Sequence, residues 1–345
     1  MSDELTPEDD YLEAIAADGY AVSAEPLHEH PAEHHRPLLL PVLGAAGVGF
    51  LLACQGRING QLAHETGDGI LAAVISFAVG LVILLAVCIP RRSTRTALRR
   101  TLPAQVRGGG LRWWQLIGGC LGAVYVASQG LTIPSLGVAL FTVLVVAGTT
   151  GSSLLVDELG IGPGGRRPVT RMRVVAAGIV VLAVVVAVSG RFSTGTLALY
   201  AVLLAVLSGA LMSYQQAING QVAMRAGDPL VATLLNFVLG LATLLVFLGI
   251  EHLLLGRSWQ APPSPLSEPL LWSGGALGVA FILVSSLVVR PLGVLLYSLL
   301  SIGGQLTAAL LLDLVVPTTG TVVGWQLVVG VLMTFGAVSL AALRR

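Results

Sequence analysis

The chain has no lysine, only three cysteines and few charges of either sign. Charged residues make up 11% of its 345 positions, against roughly 25% in soluble domains. Cys54, Cys88 and Cys120 each sit inside an apolar run, odd in number and without ligand spacing, which points away from a disulfide framework or a metal site. Enzyme signatures are missing: no Walker loop, no His-Glu-x-x-His helix and no pair of acids within one apolar run. No acid falls in the middle of any such run, which argues against a central-carboxylate proton antiporter. The N-terminus is acidic and lacks a basic region ahead of an apolar core, so no cleavable signal peptide is expected.

What remains is apolar and rich in glycine. Mean hydropathy is +0.86, 55% of residues are apolar, and 42 are glycine. Glycine suits close helix packing in lipid, where association depends on backbone approach rather than on burial from water. The composition describes an all-α integral membrane protein. Residues 1–37 hold ten of the eighteen acids and read as a disordered tail. Beyond them, apolar runs near the roughly 20 residues needed to cross about 30 Å of hydrocarbon fall at 38–56, 69–90, 113–132, 135–156, 172–190, 196–216, 229–250, 270–289, 291–312 and 322–343.

The chain also repeats itself. Gln55-Gly56-Arg57-Ile58-Asn59-Gly60-Gln61, Gly67-Asp68, Phe77 and Gly80 return as Gln215-Gln216-Ala217-Ile218-Asn219-Gly220-Gln221, Gly227-Asp228, Phe237 and Gly240, and 14 of 31 positions are identical over 55–85 and 215–245. Leu136-Gly137-Val138, Gly148 and Asp157 likewise echo in Leu292-Gly293-Val294, Gly304 and Asp313. A fixed-period echo sets architecture. The expected fold is therefore ten transmembrane helices as two five-helix repeats, 38–190 and 191–345. An odd count per repeat makes the second copy inverted in the membrane. On that topology sixteen arginines lie on one face and three (Arg57, Arg191 and Arg257) on the other. The arginine-rich face is then cytoplasmic, with both termini inside. Trp113, Trp114, Trp272 and Trp325 fall at the expected membrane edges.

Each motif carries a structural and a functional reading. Asp68 and Asp228, the latter followed by Pro229, read as helix N-caps. Gly60 and Gly220 suit helix C-termini or turns. Gln55, Asn59 and Gln61, with Gln215, Asn219 and Gln221, either hydrogen-bond between helices or line a solute cavity. Tyr125, Gln129 and Tyr297 are further mid-helix candidates for solute contact, or equally buried groups hydrogen-bonded to a neighbouring helix. Gly118, Gly122, Gly274 and Gly278 form small-xxx-small packing faces. Asp313, between two leucines, is the candidate for proton or ion coupling, with a solvated helix end as the alternative. His28, His30, His34 and His35 have spacing that can bind a metal, but biased tail composition is the preferred reading, and no metal site or cofactor is expected.

With Ile58-Asn59-Gly60, Gly67-Asp68, Phe77/Gly80 and their doubled copies, the chain resembles the drug/metabolite transporter superfamily of EamA-like proteins, and within it the YdcZ-like branch. That resemblance implies an inner-membrane, non-enzymatic efflux transporter of small molecules. The small multidrug-resistance relatives carry a membrane-embedded glutamate in their first helix; this chain offers Cys54 and Gln55 there. The function expected is secondary transport, export of a metabolite or drug-like solute by alternating access. The alternative is a non-transporting scaffold or a metal-responsive sensor using the histidine-rich tail. Expected partners are the lipid bilayer and a small solute, not nucleic acid, with a homodimer left open.

Overall fold

The computed structural model describes residues 39–162, 165–166, 168–192, 199–317 and 323–342. The chain divides into Met1–Pro37 and Leu38–Arg345. The histidine cluster lies outside the described residues. The long helices of the second unit are α1 (Leu39–Thr66), α2 (Gly69–Cys88), α3 (Gly118–Leu136), α4 (Val138–Glu158), α5 (Arg171–Phe192), α6 (Leu199–Ala226), α7 (Pro229–Leu253), α8 (Gly274–Val315) and α9 (Trp325–Ala342).

Among the described residues, seven helices are long and apolar enough to cross a membrane: α1, α2, α3 with its leading turn from Trp113, α4, Arg171–Ser189 of α5, α6 and α7. This overturns the expected ten spans in two inverted five-helix repeats. The stretches 270–289 and 291–312, expected as two spans, belong to one 42-residue helical element, α8. Its apolar pieces, Gly274–Ser285 and Leu299–Val315, are each shorter than 18 residues, as is Trp325–Leu340 in α9.

Nor is α8 a straight rod. Tyr297 Oη donates to Ser285 Oγ at 2.7 Å, whereas twelve residues of straight helix would part the two positions by about 18 Å. The chain doubles back, and both arms rest on α1. Gly274 faces Asn59 and Gly278 faces Gln55 on the first arm; Gly304 meets the Ala46 backbone on the second. A similar arrangement surrounds α6. There α3 and α4 are joined by Gly137 at φ +79°, with Gly118 against Asn219 and Gly148 against the Val206 and Ala210 backbone.

Two helix ends also differ from expectation. Gly60 and Gly220 lie inside α1 and α6, which run on to Thr66 and Ala226. Gly67 (φ +69°) and Gly227 (φ +70°) follow the last helical residues instead, in the left-handed region that glycine adopts freely. Gly60 serves a close approach, since a Cβ there would come within 2.7 Å of Ile133 Cγ2.

Asp68 accepts from the Ile70 and Leu71 amides at 2.7 and 2.9 Å, and Asp228 from the Leu230 amide at 2.9 Å. Both are N-caps, as an Asp ahead of a helix predicts. Asp228 also accepts from Thr94 Oγ1 at 2.6 Å, tying the arginine-rich 91–112 segment to α7. That segment buries Ala97, Leu102 and Leu111 against Val222, Ala226, Val231 and Ala232, while Arg91, Arg92, Arg95, Arg99, Arg100, Arg107 and Arg112 stay exposed.

The core centres on α4, whose residues from Val138 to Val146 are all buried, as a helix apolar all round requires. The Phe and Gly of the echo meet across α2 and α7. Phe77 packs on Gly240 and Phe237 on Gly80, with ring centroids 5.0 Å apart.

Candidate functional site

Two amide clusters occupy the interior. In the first, Asn59 of α1 donates through Nδ2 to Gln129 Oε1 of α3 at 2.8 Å. Gln55, one turn before Asn59 on the same helix face, donates to the Gly274 carbonyl of α8 at 3.2 Å. Tyr125, one turn before Gln129, lies beside the amides of Gln129 and Gln305, and its ring contacts Phe141 at 6.1 Å. Asn59 and Gln129 are 0% and 1% exposed, and Tyr125 4%. Three of their atoms make no hydrogen bond of ordinary geometry, Asn59 Oδ1, Tyr125 Oη and Gln129 Nε2, the last two lying beside one another. Among the described residues the only other such atom is Glu251 Oε2. Buried polar atoms are almost always paired, so three orphans in one cluster mark it out.

In the second cluster Gln215 and Asn219 of α6 both donate to Asn236 Oδ1 of α7, at 2.7 and 3.0 Å. Glycines seat both clusters. Gly118 and Gly122 of α3 lie against Asn219 and Gln215, and Gly274 and Gly278 of α8 against Asn59 and Gln55. A Cβ at Gly274 would stand 2.5 Å from Asn59 Oδ1, and one at Gly278 2.8 Å from Gln55 Nε2.

Residues 40–186 and again 200–340 match the family described as "Putative inner membrane exporter, YdcZ". The chain belongs to this family. No curated protein matches it. As a YdcZ-family protein of the drug/metabolite transporter superfamily, it is a multi-pass inner-membrane transporter and not an enzyme.

The remaining candidates of this YdcZ-family chain lie apart from the amide clusters. Gln61 sits near the end of α1, accepting from Arg57 at 3.0 Å and donating to Glu65 at 2.7 Å. Gln221 donates to the Ile161 and Gly162 carbonyls at 3.4 and 3.0 Å. Tyr297 is engaged with Ser285. Asp313 is 2% exposed and accepts from the backbone amides of Val138 and Ala139 at 2.9 and 2.7 Å. It therefore caps the start of α4 from 175 residues away, where Gly137 has no side chain to offer. Arg57 of α1 lies close enough to act on Asp313 electrostatically and donates to the Val316 carbonyl at 3.2 Å. Among the described residues no group of three metal-ligating side chains occurs.

Sequence reasoning missed Ser76, Asn236 and Gln305, all buried. Asn236 is the acceptor that gathers the second cluster, and Ser76 is its counterpart at the offset of 160. A lone polar residue recurring at one register in two apolar runs was the available signal.

Proposed function

We propose that this YdcZ-family protein exports a small metabolite or drug-like solute, taking it at the amide cluster between α1, α3 and α8 and exposing that cluster alternately to the two sides of the membrane. The observation that supports this most is the set of under-satisfied atoms: Asn59 Oδ1, Tyr125 Oη and Gln129 Nε2 are shut off from water and make no hydrogen bond of ordinary geometry. An unsatisfied buried polar group costs about 1–3 kcal/mol, and a bound solute that pairs with all three offsets that cost. Binding sites have this composition, mostly apolar with a few convergent polar groups.

The proposed orientation rests on arginine. The segment 91–112, with seven arginines and no acid, is assigned to the cytoplasmic face. Solute then leaves towards the Gly67-Asp68 end of α1. The test is flux from proteoliposomes of defined orientation against a metabolite library. Asn59→Leu and Gln129→Leu should abolish flux while the protein still purifies as a folded species. Unchanged flux in both variants sinks the assignment of the site.

A further inference from the structure

We infer that the solute taken at the Asn59–Gln129–Tyr125 cluster is uncharged and carries a hydrogen-bond donor beside an acceptor, as the edge of a primary amide, lactam, urea or nucleobase does. This rests on the solute-binding reading above and deepens it.

Asn59 and Gln129 spend one donor and one acceptor on each other and leave Asn59 Oδ1 and Gln129 Nε2 unpaired. Turning both amides over would reverse the bond and still leave one free acceptor and one free donor. The demand on a solute is therefore the same for either assignment. Tyr125 Oη can give or take a third bond.

Charge decides the rest. The side chains at the cluster, Gln55, Asn59, Tyr125, Gln129 and Gln305, are all neutral and all buried. Arg57, two residues on from Gln55, holds the Val316 carbonyl and Gln61, and Asp313 holds two α4 amides, so each of these ionic groups is already engaged. An ion entering the cluster would shed its hydration and meet only neutral side chains there, whereas a neutral amide loses little and regains its hydrogen bonds. A site built to pair with such groups rejects analogues that cannot offer them.

The test is thermal unfolding of the purified full chain with benzamide, benzylamine and benzoate, one ring carrying a neutral amide, a cation or an anion, and with uracil and 2-pyrrolidone as further neutral probes. Benzamide or another neutral probe should raise the melting temperature by about 3 °C at saturation, with no shift from benzylamine or benzoate. Gln129→Leu should remove the neutral shift, and Gln129→Glu should turn the preference to benzylamine. A shift from either charged probe that equals or exceeds the neutral one overturns the inference, as does the absence of any neutral shift in the wild-type chain. The two readings separate cleanly. If Gln129→Leu stops flux but the wild type prefers an ion, the solute class falls and the site stands. If Gln129→Leu leaves the benzamide shift intact, the site itself is elsewhere.

Discussion

Substituting Gly80 by alanine should loosen the seam between α2 and α7. A Cβ built at Gly80 comes closer than 3.0 Å to the Phe237 ring, with Cδ1 at 2.9 Å and Cζ at 3.0 Å. Ordinary contact begins near 3.5 Å. The ring cannot simply turn aside, because Phe237 is buried like its partner Phe77 and stacks on it at 5.0 Å. Overpacking of this kind costs about 1–3 kcal/mol. With roughly 2–4 °C per kcal/mol in chains of 150–250 residues, and less in longer ones, the melting temperature should fall by about 2–6 °C. Gly240→Ala should behave alike, since its Cβ meets Phe77 Cδ1 at 2.9 Å and the Gly119 carbonyl at 3.0 Å. The assay is thermal unfolding in detergent of Gly80→Ala, Phe237→Ala and the double variant. The double variant should be less damaged than the two singles added together, with a coupling of about 1 kcal/mol or more. Gly47→Ala and Gly336→Ala, with nothing within 4 Å of either Cβ, serve as controls and should be neutral. A neutral Gly80→Ala, or effects that simply add, refutes the interlock.

Asp313→Asn should lower the melting temperature by an amount corresponding to about 1–2 kcal/mol, because the carboxylate that serves two α4 amides loses its charge; unfolding in detergent measures it. Asp228→Ala should cost about 1 kcal/mol by removing the α7 cap, and Thr94→Val less, since it spares the Leu230 bond; the same assay ranks them. Asn59→Ala should destabilise by about 1–3 kcal/mol, as it leaves the Gln129 carbonyl buried and unpaired, and Asn59→Ala/Gln129→Leu together should cost less than the sum. Removal of residues 1–37 should leave flux in proteoliposomes unchanged, in contrast to a sensor that works through its histidine-rich segment.

The membrane class was legible because composition alone rules out a soluble core, and the aspartate caps were legible because Asp followed by Gly or Pro at an apolar run is a local signal. Gln55, Asn59 and Gln129 stood out as polar groups in apolar runs, and the structure brings them together with Tyr125. Partnership was harder to read. That Asp313 would cap α4 rather than its own helix depends on a contact 175 residues long, which no local pattern announces. The span count failed for a related reason. An apolar window ending near Pro291 looks the same whether the chain stops, crosses or turns back as a continuous coil, and the fold-back in α8 is fixed by its packing on α1. The motif around Gly60 misled in the opposite way. Glycine there marks a tight crossing with Ile133, and the stop comes at Gly67.

Because α8 clasps α1 from two directions, with glycine at each point of grip, the two are expected to move together. A stroke that uncovers Asn59 on the proposed site would carry both limbs of α8 with α1 and part them from α3. If the proposed site is the one used, cross-linking α1 to α8 should leave turnover intact where cross-linking α1 to α3 arrests it.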